Sequence, residues 1–223
     1  MPAAGQIDGY GFTPFPASAN SSASFSAPDT SYTCSIDQEG NVCSITPSDV
    51  SFESPVIPGL GFWFCPSARG SQSFAMEGHA SKIAPGKRPR LTPNPAMAFE
   101  PNRLIMPFGA PGGDTQPQGM LQVLLNHLVF GMDIQTAIEA PRFSTHSQPN
   151  SFEPHDCKPG RLSIENDIDQ NIGEELAKRG HDVEWLPSRS DAVAGVCAIS
   201  ANLETGLISG GADPRRSGRA MGW

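Results

Sequence analysis

Hydrophobic and polar positions divide this 223-residue chain sharply. Residues 1–29 are rich in Ser, Ala, Gly and Pro and hold no sustained period, which predicts a flexible leader outside the core. From Thr30 to Trp223 the pattern predicts a single folded domain. Ser31–Ile36 and Val42–Thr46 are short β-prone runs around Asp-Gln-Glu-Gly-Asn, a hairpin signature. Ile57–Phe64, opened by the turn pair Pro58-Gly59, is a further strand candidate. Residues 66–102 are rich in Pro and polar side chains and read as a long ordered loop. Arg103–Phe108 predicts a buried strand, followed by the glycine-rich segment Gly109–Asp114. Leu121, Leu124, Leu125 and Leu128 then recur at helical spacing, with Gln122 and Asn126 opposite. A second helix is predicted over Asp133–Ala140, with Asp133 as N-cap and Pro141 as stop. Arg161–Glu165 predicts a strand. Ile168, Ile172 and Leu176 mark one face of a helix ending at Gly180. His181–Leu186, Gly195–Ser200 and Leu207–Ser209 read as closing strands. The order is strands, helices, then strand–helix–strands, which predicts a layered α+β arrangement without internal repeats.

Composition supports that picture. Only 38% of residues are apolar, while 23 Gly and 22 Pro make up about a fifth of the chain, against a helical bundle or coiled coil. The formal charge is −8, and residues 1–68 hold no Lys or Arg but six acids, so no basic face exists there for a nucleic acid. Apolar stretches such as Gly61–Phe64 and Leu121–Met132 are too short or interrupted to span a bilayer. The first residues lack a basic and then apolar secretory pattern. The five cysteines (34, 43, 65, 157 and 197) show no Cys-x-x-Cys spacing and no zinc pattern. Cys34 and Cys43 could face one another across the hairpin, but buried free thiols are the favoured reading, and a reducing, cytoplasmic setting is expected.

Two segments carry candidate chemistry. A polar leader ends at Asp29, and the first residue of the ordered region, Thr30, bears a hydroxyl. Were the bond between them cut, Thr30 would hold a nucleophile and a free amine on one residue, and an α-amino group of pKa about 8 can take the hydroxyl proton. On local sequence alone, a Thr that simply starts a strand is the favoured reading. In Gly109-Ala-Pro-Gly-Gly-Asp114, two consecutive glycines between strand and helix let backbone N–H groups approach a substrate and hold an oxyanion. Taken by itself, the segment reads first as a tight strand-to-helix turn. The histidines (79, 127, 146, 155 and 181) show no ligand spacing, and His127 sits on the predicted helix in a satisfied or exposed role. No Gly-x-Ser-x-Gly, phosphate loop or dinucleotide fingerprint occurs.

Taken together, residues 29–41 (Asp-Thr-Ser-Tyr-Thr-Cys-Ser-Ile-Asp-Gln-Glu-Gly-Asn), 84–89 (Ala-Pro-Gly-Lys-Arg-Pro), 109–114, 116–126 (Gln-Pro-Gln-Gly and Gln-Val-Leu-Leu-Asn), 140–143 (Ala-Pro-Arg-Phe) and 210–220 (Gly-Gly-Ala-Asp-Pro-Arg-Arg-Ser-Gly-Arg-Ala) resemble the small subunit of the γ-glutamyltranspeptidase family of N-terminal-nucleophile hydrolases. Six such stretches in the family's order and spacing span nearly the whole chain beyond the leader. The resemblance implies a four-layer αββα fold and a zymogen that cleaves itself between Asp29 and Thr30. It implies attack by the Thr30 hydroxyl on a γ-glutamyl amide, typically glutathione, and release of the acyl group to water or an acceptor amine. Gly112 and Gly113 match the oxyanion pair. Ser48 falls where a hydroxyl supports the nucleophile, and Thr92 where one holds the substrate carboxylate. No cofactor or metal is implied.

Departures from the family pattern bear on specificity. Leu91 stands beside Thr92 where a second hydroxyl is frequent, and Asp49 falls where a substrate-binding Asn is usual. Arg69 lies in Phe64–Gln72, which replaces the cluster gripping the substrate amino group, and a cation there would attract a carboxylate. This pattern is nearer the acylase-like branch, so an acylase for a different, carboxylate-bearing acyl amide is the alternative activity. Family members also carry a long N-terminal subunit that completes the core, whereas 29 residues precede Thr30 here. A separate large-subunit-like chain is therefore expected as partner, and without it the chain would expose an apolar face. A non-catalytic, degenerate paralogue acting as an interaction module is the remaining reading.

Overall fold

A computed structural model describes residues 30–47, 58–60, 77–78, 82, 84–87, 94–151 and 156–223. The chain divides into two units, one of residues 1–29 and 49–91, the other of residues 30–48 and 92–223. In the first, a turn is formed at 58–60, Lys87 N–H donates to Ala84 O (3.2 Å), and Lys82 pairs with Glu77. The leader 1–29 and most of the strand candidate Ile57–Phe64 lie outside the described residues. The second unit holds every strand and helix described below.

Strands β1 (Thr33–Ile36) and β2 (Val42–Ile45) form the expected antiparallel hairpin. Gly40 takes the turn's positive φ of 81°, and Asp37 accepts from Asn41 through backbone and side chain, each at 2.8 Å. The register pairs Cys34 with Ser44 and Ser35 with Cys43, so the two thiols point to opposite faces and cannot bridge. All four described cysteines are free; Cys34 and Cys197 are partly buried, but Cys43 and Cys157 are exposed, against the expectation of buried thiols.

The main sheet has the order β3 (Ala96–Glu100), β4 (Leu104–Gly109), β8 (Cys197–Asn202), β9 (Ile208–Ala212), antiparallel throughout. Strand β3 corrects the reading of 66–102 as loop over its last residues. Its few apolar positions are too short a run to register as a period, and it is held by a tight connection to β4, where Asn102 adopts φ 59°. Period-two alternation then sorts the sheet's two faces. Met106, Phe108, Val196 and Ala198 enter one core with Met120, Val123, Ile134, Ala137 and Ile138 of the helices. Gly109 turns the other way and meets Tyr32 of the hairpin, and Cys197 neighbours Cys34. Helices, sheet and hairpin thus follow one another as layers of an α+β fold.

Helix α1 (Gln116–Leu128) forms as the spacing predicts, with Pro117 in its first turn, but its buried residues are Gln116, Gly119, Met120 and Val123. Leu121, Leu125 and Leu128 are exposed, as are the following Val129 and Phe130. Of the predicted leucine face only Leu124, half-buried, packs against the core. The glycine decides it: Gly119 lets the helix approach Val193 and Ala194 so closely that a Cβ there would sit 2.9 Å from Val193 O. Helix α2 (Ile134–Glu139) is capped by Asp133, which accepts from Thr136 N–H at 3.0 Å, and stops before Pro141.

A second sheet orders β5 (Phe143–Thr145), β6 (Arg161–Glu165) and β7 (Asp182–Leu186), with β6 and β7 parallel across helix α3 (Gln170–Lys178). Trp185 packs onto Gly173 of α3. The three-residue β5 is too short to show a period. Its outer edge is occupied by α1 side chains: Gln118 exchanges hydrogen bonds with the Thr145 backbone (2.8 and 3.0 Å), and Gln122 does so with Phe143 (3.1 and 2.9 Å). A glutamine amide carries the same donor and acceptor as a peptide group, so two of them four residues apart stand in for a neighbouring strand. Among the described residues no helix is long and apolar enough to cross a membrane.

Candidate active site

The hairpin's first residues reach the C-terminal end of β4. The Tyr32 ring covers Gly109 so closely that no side chain fits at that position. Its hydroxyl hydrogen-bonds Ser44 Oγ (2.8 Å), and Ser44 Oγ donates to Ala96 O at 3.2 Å. Burial raises the Tyr32 pKa far above its ordinary value, so this phenol stays neutral and serves as an anchor. One residue earlier, Ser31 N–H donates to Pro47 O at 2.9 Å, and half-buried Thr30 ends the pairing. Just before Pro47, Thr46 Oγ1 is buried with no hydrogen-bond partner among the described residues.

At that same end of β4 the chain turns through 110–115 into α1. Ala110 and Pro111 are buried, Gly112 and Gly113 half-exposed. Gly112 has φ 138° and Gly113 φ 59°, and the first of these is open only to glycine. A Cβ on Gly112 would lie 2.7 Å from Ala194 Cα. Thr115 closes the turn, donating to Gly112 O from its backbone (3.3 Å) and from Oγ1 (2.9 Å). No side chain caps the helical turn beginning at Gly113, nor α1 itself. On the outer side, Asp114 accepts from the backbone of Ser151 (2.8 Å) and from its hydroxyl. Buried Gln116 accepts from Asn94 Nδ2 (2.7 Å), while Asn94 Oδ1 is buried with no hydrogen-bond partner among the described residues.

Beneath this loop lies a charged cluster that sequence reasoning missed. Arg142, Glu165, Asp213 and Arg215 have fully buried side chains and pair as Arg142–Asp213, Arg215–Asp213 and Arg215–Glu165. Arg142 and Arg215 also donate to the Ile138 carbonyl, and Arg215 to Ala140 O at 3.0 Å. Glu165 accepts from Arg142 N–H and Ser190 N–H, each at 2.8 Å. Burial lowers the pKa of Arg142 and the Asp213 carboxylate opposes that; for Arg215 burial also acts downward, but Glu165 and Asp213 outweigh it. The signal was available, since three of the four residues sit inside the stretches 140–143 and 210–220, but nothing in their spacing said that they meet.

Of the residues expected to act, the fold brings the Thr30 end of the hairpin and the Gly112-Gly113 turn to one end of the sheet. Asp29, Ser48, Asp49, Arg69, Leu91 and Thr92 lie outside the described residues. His127 is satisfied on both ring nitrogens, by Met132 O (2.7 Å) and Ser200 Oγ (2.8 Å). Among the described residues no His, Cys, Asp and Glu group could hold a metal ion.

Comparison with known proteins adds a decisive observation: residues 4–223 match the profile described as Gamma-glutamyltranspeptidase. The chain belongs to the gamma-glutamyltranspeptidase family. It is 29% identical over 148 residues to a glutathione hydrolase proenzyme of Bacillus subtilis (strain 168), covering 66% of this chain and 23% of that protein. It is 31% identical over 171 residues to an oxamate amidohydrolase proenzyme of Klebsiella pneumoniae, covering 75% of this chain and 30% of that one. The chain thus spans between about a quarter and a third of the curated gamma-glutamyltranspeptidase-family relatives named here. Among solved structures, the transpeptidase enzyme CapD of Bacillus anthracis shares the fold at 21% identity and a TM-score of 0.61, over 86% of this chain and 99% of that one.

Proposed function

We propose that this chain is the nucleophile-bearing half of an amide-bond hydrolase or acyltransferase, made competent by cleavage between Asp29 and Thr30. The observation that carries the reading is the seating of Tyr32 on Gly109. Thr30 precedes that contact by two residues, roughly 7 Å of extended chain, and the Gly112 turn follows it by three. In the first step the Thr30 hydroxyl adds to the Asp29 carbonyl carbon, the peptide nitrogen leaves as the Thr30 amine, and water hydrolyses the resulting ester. In turnover that amine accepts the hydroxyl proton as Oγ1 attacks the substrate amide carbon. The leaving amine departs with a proton, and water or an acceptor amine takes the acyl group from Oγ1. The Gly112 and Gly113 N–H groups stabilise the oxyanion formed at each addition.

Ser48 supports the nucleophile in this scheme, and Thr92 and Asp49 contact the substrate. The substrate class is a γ-glutamyl amide, by the weight of family and glutathione hydrolase relatives. A second reading, in which Arg69 receives the carboxylate of a shorter acyl group, is favoured by the likeness to an oxamate amidohydrolase, since oxamate carries a carboxylate next to its amide. A large-subunit-like chain covers the exposed Leu121, Leu125, Leu128, Val129 and Phe130, a group of side chains unusual for a surface facing water.

The test is turnover of a γ-glutamyl anilide and of oxamate by the assembled protein. Thr30→Ala is expected to abolish it and Thr30→Ser to keep part. Equal turnover by Thr30→Ala and the parent would overturn the reading and favour a non-catalytic interaction module.

A further inference from the structure

Ala194 is fully buried and has φ 68° and ψ 163°, a conformation all but reserved for glycine. The structure holds it there from several sides. Its carbonyl accepts from Arg142 Nη1 at 2.9 Å. On the opposite edge of the same peptide group, Gly195 N–H donates to Pro111 O at 3.1 Å. The next amide, Val196 N–H, donates to Asp213 Oδ2 at 2.8 Å, the oxygen that pairs with Arg142 Nη2. Gly119 of α1 closes the remaining side, where a Cβ would lie 3.2 Å from Ala194 Cβ.

Pro111 C=O and Gly112 N–H belong to one peptide group as well, and in a trans peptide they point in opposite directions. Anchoring Pro111 O on Gly195 therefore aims Gly112 N–H away from Ala194. The result is a chain of polar groups: Arg142 guanidinium to the 194–195 peptide, then to the 111–112 peptide, ending on Gly112 N–H. Each group polarises the next, and the chain begins on a buried cation, so its last N–H is both oriented and strengthened as a donor. We infer that Arg142, fixed by Asp213, and the strained Ala194 are positioning residues that aim and polarise Gly112 N–H through two successive peptide groups. This inference rests on the oxyanion role proposed for Gly112.

The experiment compares the assembled parent protein with Ala194→Gly, Arg142→Lys and Val123→Ala, reading amide hydrogen exchange over 110–114 and 193–196 alongside kcat and KM for a γ-glutamyl anilide and oxamate. Ala194→Gly removes one methyl and the constraint on the 194–195 peptide. It is expected to speed exchange at Gly195 about tenfold or more, to lower kcat about tenfold, and to leave KM and melting temperature near the parent's. Arg142→Lys keeps the charge but not the fork that reaches both Ala194 O and Asp213, and should lower kcat further. Val123→Ala opens a cavity in the core one helical turn beyond Gly119 and removes no group of the relay, and should lower melting temperature with kcat unchanged. Unchanged exchange at Gly195 in Ala194→Gly, or a kcat loss in Val123→Ala equal to that in Arg142→Lys, would overturn the relay. Retained turnover in Thr30→Ala would instead overturn the function on which it rests, so the two failures are distinguishable.

Discussion

Two strands of this protein lead into helices, and they do so in opposite styles. After β6 the chain crosses residues 166–169 at the surface, and Asp169 caps α3 by accepting from Asn171 N–H at 2.9 Å. Ser188 Oγ ties that turn down by donating to Asn166 (2.6 Å) and Asp167 (2.9 Å). After β4 the chain crosses a half-buried turn with two positive-φ glycines and no side-chain cap, pressed against a strained alanine above four buried charges. The first connection is the inexpensive solution, since one carboxylate and water satisfy the helix start. The second forgoes a cap, accepts strain at Ala194 and takes fully desolvated ion pairs beneath it. Such an arrangement is retained where exposed N–H groups are needed by something other than the helix.

The sharpest way to break this contrast is the same small change on both sides. Gly112→Ala must place a Cβ against the Ala194 backbone in a φ that alanine avoids, and turnover per folded molecule is expected to fall by about a hundredfold or more. Asp169→Ala should cost about 1 kcal/mol of stability and leave turnover unchanged. Urea melts with a parallel kinetic assay read both, and equal turnover losses would erase the distinction. A smaller effect is expected where α1 caps the edge of β5. Gln122→Ala frees the Phe143 N–H and carbonyl and should cost about 1–2 kcal/mol by urea titration. A loss within error would mean that the edge needs no cover.

The smallest effect concerns pH. His146 Nε2 lies 3.0 Å from Ser163 Oγ and 3.3 Å from Ser144 Oγ, and Ser163 spends its own proton on Glu184 (2.7 Å). Burial, then the charge of Lys158, lowers the His146 pKa; Glu184 opposes this and Arg161 adds to it. A lowered folded value means that the unfolded chain takes up a proton first as pH falls. His146 therefore contributes fully above about pH 6.5, and this contribution is lost below it. His146→Gln should flatten stability against pH just below about 6.5 and leave the steeper carboxylate-driven loss at lower pH. An unaltered slope in that window would show that His146 does not titrate with folding.

Much of the fold was legible because local chemistry and tertiary need agreed. Asp37 to Asn41 makes its own turn, Asp133 caps its own helix, and Gly180 with φ 97° ends α3. Strand β3 and strand β5 were not legible, for each is a short run fixed by its pairing rather than by a period of its own: β3 by the adjacent β4, β5 by Gln118 and Gln122, more than 20 residues earlier in the chain. The leucines of α1 misled for a related reason. Spacing identifies a helix and its apolar stripe, but the side that approaches the sheet is chosen by Gly119, a residue without any hydrophobic signal. At the site, Thr30 and the glycine pair were singled out by the resemblance of the stretches around them to the family, since their local sequence alone favoured a strand start and a tight turn. Ala194, Arg142 and Asp213 did not, because their meaning lies in a bond between two peptide groups more than 80 residues apart in the chain.

The central claim is that Thr30 carries a free amine in the working protein. The direct measurement is the intact mass, with N-terminal sequencing, of the catalytically active assembly. The account predicts a fragment beginning at Thr30 that is missing from Thr30→Ala; an active assembly whose peptide remains continuous across Asp29 and Thr30 would contradict it.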